Sequence, residues 1–309
     1  MVTLDPNPQV LCMSVTPFSD DDRLDEEGLR SHLRRMVAAG CGVYMGSGGS
    51  GEGHTLTLEE LKRVYEIGVE ECKGKVPTYA NPREARSAKQ MLEVANIAAA
   101  AGIELVQLYP VDGGHGMRPN AAEQERYYRD LLDHIDYPVA ISVHPVGVGY
   151  TTPSALIQKL CDDYGQIKAI NVMAGQPMSN FIEFRESVRP GIKLYTSMSN
   201  VIESMAQGSS GCLATEPNIV PKLSKSIVDG FARGEIQKAG EAMAVLIKLN
   251  KILNKWSPGA ARPIKLALKV LGLGNGNLRL PYLLPDKEDQ QQLVVDLEAL
   301  GLMALEATL

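Results

Sequence analysis

Short apolar runs alternate with longer segments of three- and four-residue apolar spacing from the start of the chain to about Pro221. The short runs predict strands at Leu11–Val15, Val43–Met45, Thr78–Ala80, Leu105–Leu108, Val139–Val143, Ile167–Val172, Lys193–Thr196 and Cys212–Ala214. The longer segments predict amphipathic helices, among them Glu26–Ala39, Leu58–Cys72, Ala88–Ala101, Ala121–Ile135 and Pro153–Tyr164. Asp25, Thr57 and Thr152 stand where helix starts need a cap, the last before a proline suited to a first turn. Gly40, Gly102 and Gly208 follow helical stretches, where a left-handed cap suits glycine. Eight such alternations imply a parallel sheet, and eight strands close a barrel, although the pattern alone also admits an open doubly wound sheet. Beyond Pro221 the strands stop and helices follow at Lys222–Ala232, Glu235–Lys255, Arg262–Leu271 and Lys287–Leu300. The expected organisation is a (β/α)8 TIM barrel over residues 1–232 and a C-terminal helical extension over 233–309.

Composition narrows the setting. With 44% hydrophobic and 22% charged residues, the 309-residue chain has the makings of a substantial core. A net charge of −6 argues against a nucleic-acid or anionic-membrane partner, though a local pocket can still take an anionic substrate. Cys12, Cys41, Cys72, Cys161 and Cys212 are widely spaced with no CxxC pair, which reads as a reduced, cytoplasmic thiol set. Met1–Val10 has no apolar run and does not read as a signal peptide. The stretch around Val94–Leu108 is broken by Asn96, Gly102 and Glu104, too polar to span a membrane.

Barrel chemistry sits at the C-terminal ends of the strands, so the loops after them carry the candidates. After the second strand, Gly46-Ser47-Gly48-Gly49-Ser50-Gly51 satisfies GxGxxG in form only. No helix opens at once, and the next strand ends Tyr79-Ala80-Asn81 without an acid, so a dinucleotide site is not expected. A turn whose N–H groups at Gly49, Ser50 and Gly51 hold a carboxylate, with the Ser50 hydroxyl assisting, is the functional reading; a tight turn without ligand is the other.

That loop, continued as Gly51-Glu52-Gly53-His54-Thr55-Leu56-Thr57-Leu58-Glu59-Glu60, resembles the G-T-T-G-E-x-x-T-L-T-x-E-E signature of the dihydrodipicolinate synthase/N-acetylneuraminate lyase family. Val15-Thr16-Pro17-Phe18 with Asp25-Glu26-Glu27 resembles its opening, and Gly208–Gly211 with Asn218 and Pro221 its eighth strand. Arg262-Pro263-Ile264-Lys265, Leu271-Gly272-Leu273, Arg279-Leu280-Pro281 and Leu284-Pro285 are similar to its closing segments. The resemblance implies the TIM barrel, a homodimer or homotetramer, a small carboxylic-acid substrate and no cofactor. These are scaffold motifs, and scaffold does not fix function.

The chemistry that the resemblance implies is missing. The family's sixth strand ends G-I-K-D, and its lysine forms an imine with a 2-oxo acid. Here Lys168-Ala169-Ile170-Asn171-Val172 places Asn171 at that lysine, and an amide cannot form the imine. Lys168 has the wrong strand parity and Lys193 starts a strand at the far end of the barrel. The family's Y-N-x-P becomes Ser142-Val143-His144-Pro145, its following arginine becomes Gly147, and the first of its two threonines becomes Gly49. P-Y-Y becomes Pro110-Val111-Asp112, with about four residues inserted before Pro119, so the relay tyrosine of the dimer interface is absent or displaced.

Ser142 and His144 share parity beside Asn171 and form the candidate catalytic set. His144 suits proton transfer, and Asn171 suits donation to a substrate carbonyl or enolate oxygen. A buried histidine bonded to a carbonyl is the other reading of His144. Gly49, Ser50, Gly51, Tyr109, Asp112, Arg118 and Glu216 are the expected substrate contacts, Arg118 standing in for the arginine missing at Gly147. The loop Asp112–Arg118 reads either as a lid or as a solvated loop, and Glu216 either as an acid–base group or as an exposed charge. Asp112, His115, His144 and Glu52 lack ligand spacing, so no metal is expected. Met173, Met178, Met198 and Met205 read as packing, and His32 and His134 as surface residues on helices. Two functions follow: a lyase running a retro-aldol, dehydration or decarboxylation on a 2-oxo or hydroxy carboxylic acid without an imine, or a silent barrel that binds a carboxylate or serves as an oligomeric partner.

Overall fold

The computed structural model describes residues 4–173, 177–256 and 259–309. Eight parallel strands close into a barrel in chain order: β1 (Gln9–Met13), β2 (Gly42–Met45), β3 (Thr78–Ala80), β4 (Leu105–Leu108), β5 (Val139–Val143), β6 (Ile167–Val172), β7 (Lys193–Thr196) and β8 (Gly211–Ala214), with β1 beside β8. The closed barrel excludes the open-sheet alternative. β1 ends before Val15 because the Val15 N–H donates to the Asn218 side chain at 3.0 Å rather than to a neighbouring strand.

Helices α1 (Glu26–Ala38), α2 (Leu58–Cys72), α3 (Ala88–Ala100), α4 (Ala121–Leu132), α5 (Pro145–Val148), α6 (Ser154–Asp163), α7 (Met178–Ser187), α8 (Val201–Ala206) and α9 (Pro221–Ala232) connect and surround the strands. The capped starts behave as their side chains require: Asp25 and Thr57 each accept a first-turn N–H, and Thr57 with Glu60 closes a capping box. Asn120 does the same with Glu123 at the start of α4. Leu11, Tyr44, Leu105, Ala140, Ala169, Tyr195 and Leu213 fill the inside of the barrel, while a second core lies between strands and helices.

One helix position corrects the surface reading of His32. Leu29, His32, Leu33 and Met36 form the buried face of α1, so His32 faces the barrel wall. Among the described residues neither ring nitrogen has a close hydrogen-bond partner, and burial, reinforced by Arg35 and opposed by the Asn218 side chain, pushes its pKa down to about 3. The ring is therefore neutral. His134 is exposed, as expected, and bonds the Asp130 carbonyl.

The chain then continues through α10 (Ile236–Leu253), α11 (Ala261–Val270), α12 (Lys287–Ala299) and α13 (Leu302–Thr308). The motif residues tie this extension to the β2 loop. Glu52 forms a buried ion pair with Lys265 and accepts the Arg279 N–H at 3.0 Å. Burial lowers the Lys265 pKa to about 8 against the opposing pull of Glu52. Lys265 and Arg279 both lie over the Phe18 ring, each 4.2 Å from its centroid. No described helix is long and apolar enough to cross a membrane.

Candidate active site

The β2 loop turns sharply through Gly46 (φ +77°) and closes at Glu52 (φ +50°), both in the left-handed region. Two of its expected ligand donors are committed within the loop. The Ser50 hydroxyl donates to the Met13 carbonyl at 2.6 Å, and the Gly51 N–H donates to Ser47 Oγ at 3.0 Å. Those bonds shape the turn and leave neither group facing a substrate. Among the described residues the N–H groups of Gly48, Gly49 and Ser50 have no acceptor, and Gly49 is exposed.

Inside the barrel, fully buried polar side chains of four strands or strand ends form one chain. Asn171 on β6 donates its amide to the Tyr44 hydroxyl of β2 at 3.2 Å and to Gln107 Oε1 of β4. Gln107 in turn donates to Asn81, just past β3, at 2.7 Å. Both amide hydrogens of Asn171 are thereby committed, which corrects the expectation that it donates to a substrate oxygen. Its free atom is the acceptor Oδ1, which has no partner among the described residues. Burial pushes the Tyr44 phenol well above its ordinary range, so it stays protonated.

Beside Asn171 in the β5–β6 register lies Ser142, fully buried, its hydroxyl also without a partner. Asn81 Nδ2 and His144 Nδ1 join them as polar atoms without a hydrogen-bond partner among the described residues at the C-terminal ends of β3, β5 and β6. Buried polar atoms without partners are rare, and each marks a place for water, an ion or a ligand. His144 is half-buried, with the Tyr109 ring edge-on at 5.8 Å and Glu84 Oε1 4.0 Å from Nδ1. Burial lowers the His144 pKa, and Glu84 opposes that shift. Among the described residues no backbone carbonyl bonds His144 Nδ1.

Glycine at 147 follows from the same geometry: a Cβ there would overlap the His144 ring. The imidazole thus occupies the space that a side chain at position 147 would need. At Gly49, by contrast, the nearest atom to an added Cβ is that of Ala260 at 4.0 Å, so the position is open.

The remaining expected contacts fall around the rim. Tyr109 is buried against His144 and accepts the Tyr127 hydroxyl at its carbonyl, 3.0 Å away. Asp112 accepts the Gly114 N–H at 3.0 Å and lies 4.0 Å from Arg86. Arg118 is exposed, and its guanidinium lies against Gly149. Glu216 accepts from Asn250 at 2.8 Å and from the Thr215 N–H at 3.1 Å, which makes it a tie between the β8 loop and α10. Lys168 is exposed, donating to the Gly165 carbonyl, and Lys193 pairs with Asp5 at the opposite end of the barrel. Among the described residues no group of three metal-ligating side chains comes together.

Three residues of this candidate cluster were not singled out in the sequence: Tyr44, Gln107 and Glu84. A polar Gln107 inside the apolar Leu105–Leu108 run was the available signal, because its parity turns it into the barrel. Glu84 lies in a loop, and nothing in the local pattern shows which way it turns.

A family model described as the dihydrodipicolinate synthetase family matches residues 7–300. The 4-hydroxy-tetrahydrodipicolinate synthase of Methanopyrus kandleri is 26% identical over 294 residues, covering 94% of this chain and 95% of that protein. The crystal structure of dihydrodipicolinate synthase DapA-2 from Bacillus anthracis superposes with a TM-score of 0.84 at 20% identity, covering 97% of this chain and 98% of that one. YagE of E. coli K12, a prophage protein solved in complex with pyruvate, gives a TM-score of 0.87 at 19% identity, covering 96% and 99%. At those identities the two structures speak for the fold alone.

Proposed function

This chain belongs to the dihydrodipicolinate synthetase family, and we propose that it is an imine-free lyase acting on a small 2-oxo or hydroxy carboxylic acid. The observation that carries this reading is the set of uncommitted polar atoms on Ser142, His144, Asn171 and Asn81 where the strands end. Retro-aldol cleavage, dehydration and decarboxylation of such acids share two needs: a proton moved at one atom and an oxygen held as it gains charge. His144 moves the proton. Ser142, with an unengaged hydroxyl, holds the oxygen; Asn171 Oδ1 accepts from a substrate hydroxyl. The substrate carboxylate sits on the Gly48 and Gly49 N–H groups. The name of the Methanopyrus relative, a 4-hydroxy-tetrahydrodipicolinate synthase, supports a small carboxylic acid as the substrate class.

The test is turnover of a panel of 2-oxo and hydroxy acids followed by NMR. Wild-type protein converts a member of the panel, and His144→Ala does so at least about 100-fold more slowly with an unchanged melting temperature. Equal turnover by the two proteins would sink the assignment of His144.

One observation favours a second reading. Both amide hydrogens of Asn171 are engaged within the barrel, as in a site that is finished without substrate. In that reading the barrel binds a small carboxylate at Gly48 and Gly49 and performs no chemistry. Saturable binding with no product from any member of the panel identifies it. A homodimer or homotetramer is the expected assembly in either case, and light scattering that returns a monomer would remove it.

A further inference from the structure

We propose that Glu84 is the positioning carboxylate of a Glu84–His144 pair, and that Nε2 of His144 is the atom that exchanges a proton with the substrate. The inference rests on the lyase reading above and assigns that site its acid–base machinery. Glu84 enters from the loop after β3, through Pro82 and Arg83, and brings Oε1 to 4.0 Å from His144 Nδ1. Nδ1 is buried and has no hydrogen-bond partner among the described residues, while a quarter of the side chain is exposed.

Two glycines leave room for the pair. A Cβ at position 147 would overlap Nδ1 and Cε1 of His144, and a Cβ at position 48 would overlap Oε2 of Glu84. Tyr109 supports the ring edge-on from β4. Glu84 and Tyr109 are the titratable groups that face the imidazole; Arg86 turns to Asp112, and Arg118 lies against Gly149. A gap of 4.0 Å is loose for an unliganded site and closes by about 1 Å once the ring is charged.

The proton count is simple. In the neutral ring Nδ1 carries hydrogen toward Glu84, and the Nε2 lone pair faces the barrel mouth. Nε2 takes a proton from a substrate carbon or hydroxyl, leaving imidazolium beside the Glu84 carboxylate. The same proton returns to the product or the leaving oxygen. This is the division of labour in which a buried carboxylate fixes the tautomer and a histidine does the transfer.

The experiment is a 15N and 1H NMR titration of the full-length protein without substrate, with the His144 signal assigned by its loss in His144→Gln. The neutral wild-type ring is expected as the Nδ1–H tautomer, and Glu84→Gln should lower its apparent pKa by about one unit. Gly147→Ala, which displaces the ring while leaving Glu84 in place, should lower it likewise. An unchanged pKa in both variants, with hydrogen on Nε2, would overturn the pair. Because no substrate is present, failure here is separable from failure of the lyase reading. Loss of turnover in His144→Ala without the Glu84 shift would keep the lyase and discard the pair. The shift without any turnover would do the reverse.

Discussion

The side-chain amide of Asn171 donates to the Tyr44 hydroxyl at 3.2 Å, across the inside of the barrel from β6 to β2. With Gln107 and Asn81 it closes a polar chain that braces the inside of the barrel.

Asn171→Leu should therefore cost stability. The substitution leaves the Gln107 carbonyl oxygen and the Tyr44 hydroxyl buried without that donor, a loss of about 2–4 kcal/mol. Urea unfolding reads it directly, and a change below about 1 kcal/mol would show that the chain of amides is not a brace. Asn171 is for this reason a poor site for separating catalysis from folding.

Ser142→Ala should behave in the opposite way. Its hydroxyl has no partner among the described residues, so its removal leaves no orphan and changes stability by less than about 1 kcal/mol. Turnover should fall by at least about tenfold, because an oxygen-holding donor is lost. Unchanged turnover with unchanged stability would take Ser142 out of the site.

Restoring the family's residues should separate two departures that look alike in the sequence. Gly49→Thr enters open space and should leave unfolding within about 1 kcal/mol of wild type. Gly147→Arg overlaps the His144 ring and should cost about 1–3 kcal/mol, recovered in large part when His144→Ala is added. Equal costs with and without His144 would mean the ring does not occupy that space.

The barrel was legible in the spacing of strands and helices, and each of the eight expected strands overlaps an observed one. Helices α5, α7, α8 and α13 were not named, the first three because they are short or weakly amphipathic, the last because it follows a break at Gly301. His32 was misplaced although its own spacing with Leu29, Leu33 and Met36 marks the buried face; side-chain chemistry was allowed to override periodicity. At the site, parity placed Ser142 beside Asn171, since alternation along a strand is local, whereas His144 lies past the end of β5. Which hydrogens of Asn171 are engaged, and that Glu84 turns toward His144, depend on contacts between loops and strands far apart in the chain.

Buried neutral His32 makes stability depend on pH. Its folded pKa of about 3 lies below the ordinary 6.5, so the unfolded chain binds the proton first and stability falls as pH drops from 6.5 toward 3. Between pH 7 and pH 5 this group alone removes about 2 kcal/mol, and His32→Phe should abolish that part of the loss. Denaturant unfolding at the two pH values checks it; an identical pH dependence in His32→Phe would contradict the burial of a neutral ring.

The most direct measurement is borohydride reduction of the protein with pyruvate, read by intact mass beside a lysine-bearing family member treated in parallel. With Asn171 braced inside the barrel and Lys168 and Lys193 turned away from its mouth, no adduct forms while the control is trapped. A stoichiometric adduct, with its peptide mapped to any lysine, would contradict the loss of imine chemistry on which the proposed function depends.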